Sequence, residues 1–233
     1  MCAKCGTGTM NRRTLMAGGL VLACAGVVPA GRRARAARPS TPDEALQKLI
    51  AGNARYVANT PVNTDHSKER FSRAAGQQPF AAVVACSDSR VVPELIFDQA
   101  PGDLFVVRVA GNFINEDGLA SLEFGAAVLG VQAIVVLGHS GCGAVDATIK
   151  SVKERELPPG HLPSLVDAIR PAVYDVMAEN PPDLLAAAID RNAVLNARKS
   201  ETSEPVLAGM HASGALVSVA ANYDIATGEV SFL

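Results

Sequence analysis

Two short stretches of the chain hold the side chains best suited to chemistry: Cys86-Ser87-Asp88-Ser89-Arg90 and Gly138-His139-Ser140-Gly141-Cys142-Gly143. His139 and Cys142 stand three apart, so one loop can present both to a single ion, and Cys86 can converge on them from a second segment. Two thiolates and one imidazole make a soft donor set that selects zinc. Three protein ligands leave the fourth position for water or a displaceable group, which is the catalytic pattern. In an extended segment residues i, i+2 and i+4 share a face, and Cys86, Asp88 and Arg90 have that spacing. Asp88 is then either a fourth ligand in a closed state or an acceptor for metal-bound water, with Arg90 holding it off the metal. Taken singly, Cys86 reads as a small buried hydrophobe and His139 as a core histidine. A Cys/His nucleophilic pair leaves the second cysteine unexplained, and the glycines at 138, 141 and 143 do not have nucleotide-binding spacing. His66, His161 and His211 have no metal-ligand spacing and read as surface or loop residues.

The elements that must position these residues are legible as apolar runs and periodicities. Phe80 to Cys86, Leu104 to Val109 and Ala133 to Leu137 read as buried strands. Thr41 is a candidate N-cap with Pro42 at the first helical position, and Leu46, Leu49, Ile50 and Val57 follow at helical spacing. Residues 58–79 read as loop or short helix, and 117–130, 144–154, 162–179 and 183–200 as helices. Leu216 to Ala221 and Glu229 to Leu233 read as two last strands, joined by a turn at Thr227-Gly228. The alternation predicts an α/β fold: a mostly parallel central sheet flanked by helices, with an antiparallel C-terminal edge strand. Two of the predicted strands end in the metal-ligand stretches, and open α/β sheets place sites outside their carboxyl ends.

Composition narrows the partners. Residues 1–38 carry seven of the 21 Lys/Arg and no acid, so the rest holds 14 basic against 23 acidic residues. A body of that sign does not suit nucleic acid. Residues 1–38 read as an export signal and linker: a basic region ending in Arg12-Arg13, an apolar run from Leu15 to Val28, and Ala34-Arg35-Ala36 as a cleavage pattern. The paired arginines resemble a twin-arginine signal, which implies export, in a bacterium to the periplasm. The apolar run is shorter than the roughly 20 residues a span needs. Membrane anchoring by residues 15–28, or by a lipid on Cys24, is the weaker alternative. Cys2 and Cys5 lie in the segment expected to be removed. Residues 39–233 then form one domain.

The set of motifs resembles the β-class carbonic anhydrases. CSDSR (86–90) and GHSGCG (138–143) are similar to the two signature motifs of that family. The likeness continues through GDLFVVRVAGN (102–112), SLEFGAAVLG (121–130) and YDIATGEVSFL (223–233). The resemblance implies reversible hydration of CO2 to bicarbonate and a proton by zinc-bound hydroxide. It implies one zinc per chain on Cys86, His139 and Cys142, with Asp88–Arg90 as a gating dyad. It further implies a homodimer or higher oligomer with the active site near the interface. By position, Gln77, Phe105, Ala110 and Phe124 match the substrate pocket, where Ala110 stands for a Val and Phe124 for a Tyr of some members. A bicarbonate-binding regulatory site that uses Trp in some members is expected to be absent, because the chain has none. Two other readings stay open: the same fold hydrolysing another linear molecule such as CS2, and a non-catalytic zinc protein closed by Asp88.

Overall fold

The structure, a computed structural model, describes residues 38–67 and 70–233. The readings made for residues 1–37, including the export signal and Cys2, Cys5 and Cys24, lie outside these.

Helix α1 (Pro42–Val57) begins as its sequence dictates, with the Thr41 side chain accepting from the Glu44 N–H and Pro42 at the first position. The short α2 (Arg70–Ala74) leads into β1 (Ala81–Ala85), every residue of which is buried. Then come α3 (Pro93–Ile96), β2 (Leu104–Arg108) and α4 (Glu116–Glu123), which runs on as a π-helical turn over Phe124–Val128. β3 (Ala133–His139) is followed by α5 (Gly143–Glu154), α6 (Pro163–Glu179), α7 (Leu184–Thr202) and α8 (Leu207–Ala212). The chain closes with β4 (Val217–Tyr223) and β5 (Val230–Phe232).

The five strands form one sheet in the order β2-β1-β3-β4-β5, parallel except for the antiparallel β4–β5 pair at the edge. From β1 the chain goes first to one neighbour, β2, and then to the other, β3, so the crevice at the carboxyl ends of β1 and β3 is a topological switch point. The predicted third strand stops at Leu137; the observed one runs on through His139, because the long β4 keeps pairing with it up to His139 opposite Tyr223. Helices α3 and α8 escaped the sequence reading, since four and six residues are too few to show a helical period.

Strand alternation divides the core. Ala81, Val83 and Ala85 of β1 face one layer with Ala45 and Leu49 of α1, while Ala82 and Val84 face another with Ile114, Leu122 and Ala193. Each fully buried Val contributes about 1.5–3 kcal/mol. A third cluster lies beyond the strand ends, where Cys86 and Cys142 pack with Val145, Ile149, Ile169, Val173 and Ile189 of α5, α6 and α7.

Candidate metal centre

Cys86 is the first residue past β1. The last β1–β3 pair is Ala85 opposite Leu137, so one step further Cys86 comes level with Gly138 and beside His139. Cys142 is the N-cap of α5. The sulfurs of Cys86 and Cys142 and a ring nitrogen of His139 lie within 4.8 Å of one another, and all three residues are buried. Gly141 turns the chain between the two ligands of the second loop with φ +67°, a conformation glycine adopts without strain.

The donor atoms are oriented. His139 Nδ1 lies 3.1 Å from the Ser140 carbonyl, which places the ring proton there. Its Nε2 is buried without a hydrogen-bond partner. An orphaned nitrogen in a residue with 0% exposure costs free energy unless something binds it. Two sulfurs on one tetrahedral ion at about 2.3 Å each sit roughly 3.8 Å apart, a spacing the cluster can accommodate. The residues therefore fit a soft divalent ion.

Charge is arranged around them. The Gly111 N–H donates to Cys86 Sγ at 3.3 Å. A shared hydrogen bond from Cys142 pulls the Cys86 thiol down to about 4, while the same contact and burial push the Cys142 thiol up, so the pair holds one proton between them. The backbone N–H groups of Val145 and Ala144, at the α5 N-terminus, point the other way and favour a Cys142 thiolate. A bound cation drives both cysteines to the thiolate. Burial lowers the His139 pKa, but the neighbouring Cys86 sulfur, the Ser140 carbonyl and Asp88 together raise it on balance.

Asp88 stands outside the three-residue group, turned to Arg90. Arg90 Nε donates to Oδ1 at 3.0 Å and the terminal nitrogen to Oδ2 at 2.7 Å, and the Arg90 N–H adds a third bond at 3.0 Å. That fork holds the Asp88 carboxyl well below the usual carboxylate range. Sequence reasoning missed the residue that holds this whole segment. Arg108, at the end of β2, donates to the carbonyls of Cys86 at 3.0 Å and Asp88 at 2.7 Å. Its one signal was a charge closing an otherwise apolar strand. Ser140 was also missed: its N–H donates to the Tyr223 carbonyl and its hydroxyl accepts from the Ile225 N–H, tying the ligand loop to the end of β4.

The residues matched to a substrate pocket separate into two groups. Ala110 lies in the turn after β2, next to Gly111, whose N–H reaches Cys86 Sγ. Gln77 is exposed in the loop before β1, while Cys86 follows β1, and five extended residues span roughly 17 Å. Phe105 is in register with Ala82, at the far end of β1 from Cys86. Its ring packs 6.4 Å from that of Phe124, which is half exposed. Within one chain, these three do not meet the cluster. His66 and His161 are exposed, and His211 is a half-buried partner of the Ser218 hydroxyl at 3.0 Å.

Comparison with known proteins follows the same residues. The family described as "Carbonic anhydrase" matches residues 81–230. Carbonic anhydrase 2 of Mycobacterium tuberculosis is 38% identical over 196 residues, which cover 82% of this chain and 92% of that protein. The solved β-carbonic anhydrase CcaA is 30% identical with a TM-score of 0.62, covering 81% of this chain and 91% of its own. A Coccomyxa β-carbonic anhydrase, solved with acetazolamide, superposes with a TM-score of 0.62 at 25% identity over 81% and 86% of the two chains. Family match, whole-length relative and shared architecture agree, and the chain belongs to the carbonic anhydrase family, in its β class.

Proposed function

We propose that this protein hydrates CO2 reversibly to bicarbonate and a proton, using one zinc ion held by Cys86, His139 and Cys142. The observation that carries the reading is the orphaned His139 Nε2 facing two thiols beneath a paired Asp88–Arg90. Zinc, when bound, supplies the Lewis acidity that turns water into a nucleophile near neutral pH. The protein's own groups do the rest. Cys86, His139 and Cys142 would hold the ion, and three protein ligands would leave a position for water. Arg90 keeps Asp88 ionised and turned from the cluster, so Asp88 does not close the site and one of its lone pairs is available to accept a hydrogen bond from the nucleophile's O–H. Arg108 holds the Cys86 and Asp88 carbonyls and so keeps ligand and acceptor in one register.

Gln77, Phe105 and Phe124 act on this site from a second copy of the chain. Their distance from Cys86 within one chain supports that, as does the exposed apolar surface of Phe124 and of Val128, 66% exposed, on the same π-helical turn. The working protein is thus a homodimer or a larger homo-oligomer. Residues 1–38 serve as the export signal of a periplasmic enzyme, and residues 39–233 as its catalytic domain. Among the described residues no helix is long and apolar enough to cross a membrane. The deciding experiment is stopped-flow CO2 hydration on metal-analysed protein. About one zinc per chain and fast hydration are expected, and bound zinc without hydration would sink the assignment.

A further inference from the structure

Helix α7 buries a row of polar side chains where its neighbours are apolar. Asn192 and Asn196, 1% and 7% exposed, lie one turn apart among Ala188, Ile189, Ala193 and Ala197. Burying an amide is costly unless it is hydrogen-bonded, so what these two hold is informative. Asn192 Nδ2 donates to the Gly111 carbonyl at 2.8 Å, and Asn196 Oδ1 accepts from the Ile114 N–H at 2.8 Å. Asn196 Nδ2 donates back to the Asn192 carbonyl at 2.8 Å. One turn on, Lys199 Nζ donates to the Ile114 carbonyl at 2.7 Å. The row clamps the loop between β2 and α4 at both ends of 111–114.

That loop carries the N–H that reaches a metal-ligand sulfur, from Gly111 to Cys86 Sγ. The backbone at this position favours glycine. Its φ is +86°, and a Cβ there would come 2.5 Å from Ile169 Cδ1 and 3.3 Å from Ala144 Cβ. Gly111 thus lies close against α5 and α6, and Asn192 of α7 holds its carbonyl.

We infer that Asn192 is a positioning residue for the Cys86 sulfur: by gripping Gly111 it sets the N–H···S hydrogen bond and thereby how strongly that thiolate donates to a bound metal. The inference rests on the metal-site reading above. A hydrogen bond to a thiolate withdraws electron density from sulfur; without it the sulfur is a stronger but less well-placed donor.

The test uses the full chain loaded with cobalt(II), whose thiolate-to-metal charge-transfer band reports sulfur electron density directly. Asn192→Leu keeps the branched shape and removes the donor, and Asn192→Ala removes it without adding bulk, so that one serves if the other does not fold. The band is expected to move to longer wavelength in either variant, with metal affinity against a chelator falling roughly tenfold. Ser200→Ala is the control: Ser200 is equally buried on the same helix but bonds Ala197 and Ser218 rather than the loop, and its band should stay in place. A band unmoved in the Asn192 variants, or moved equally in Ser200→Ala, overturns the inference and leaves the metal site standing. No charge-transfer band in the unsubstituted chain overturns both.

Discussion

Two buried polar clusters in this molecule resemble each other in cost and differ in completeness. Around Asp98, 3% exposed, every group has a partner: Arg55 Nε donates to its Oδ2 at 2.5 Å, and the N–H groups of Val62 and Asn63 donate to the same carboxylate at 3.0–3.2 Å. Around Cys86, His139 and Cys142 the accounting is left open, with an unpartnered Nε2 and two thiols sharing one proton. The closed cluster ties loop 62–63 and α1 to the end of α3. An open one stores unsatisfied donors that only a ligand relieves. Incomplete satisfaction, more than burial or charge, separates the functional cluster from the structural one.

The comparison breaks most sharply at a ligand. Cys142→Ser should lose metal and drop CO2 hydration to the uncatalysed background while the fold persists, read by zinc content, stopped flow and circular dichroism together. Retained zinc and rate would mean that the open cluster is not the site. The opposite behaviour is expected of the closed cluster. Asp98→Ala orphans Arg55 and two backbone N–H groups and should cost roughly 3 kcal/mol of stability, with zinc content and kcat/KM of the folded protein unchanged. The pH dependence follows from its sign. Burial raises the Asp98 pKa, but Arg55 and the backbone donors lower it by more, so the folded value is depressed. Its contribution is therefore fully present above the ordinary carboxylate range and is lost as pH falls through the lower folded value. Chemical denaturation of Asp98→Ala should show a flatter decline of stability below about pH 4; an unchanged slope would remove Asp98 from the account. Smallest is the effect on the pair at the rim. Arg90→Ala should retain zinc yet lower kcat/KM by about 10- to 100-fold, because Asp88 loses the fork that orients it. Unaltered kinetics would reduce the pair to a surface contact.

Much of this was legible in the residues. The apolar runs at 80–86, 104–109 and 133–137 became β1, β2 and β3 within a residue or two; β1 and β3 are buried on both faces and so must be apolar throughout, whereas β2, at the sheet edge, is only partly buried. Thr41 and Pro42 start α1 as their chemistry requires. The spacing of His139 and Cys142 suggested one loop presenting both; the structure puts His139 at the end of β3 and Cys142 at the start of α5, with the turn between them bringing the two together. Less legible was β3's extension to its own metal-ligand residue, since β4, a long way off in sequence, supplies the pairing. Arg108, Ser140 and Asn192 were invisible as site residues, because a hydrogen bond to a distant carbonyl leaves no periodicity.

What the sequence alone determined is local: residue type, strand and helix period, caps, and a donor set whose softness selects the metal. These depend on chemistry within a few residues, so they survive without a fold. The tertiary structure decided the rest. It brought Cys86 level with Gly138 through sheet register, closed Asp88 against Arg90, and aimed the Gly111 N–H at a sulfur from a loop pinned by α7. It also set Phe105 opposite Ala82, near the end of β1 away from Cys86. Such placements are sums of many weak, long-range contacts, and only the packed chain adds them up.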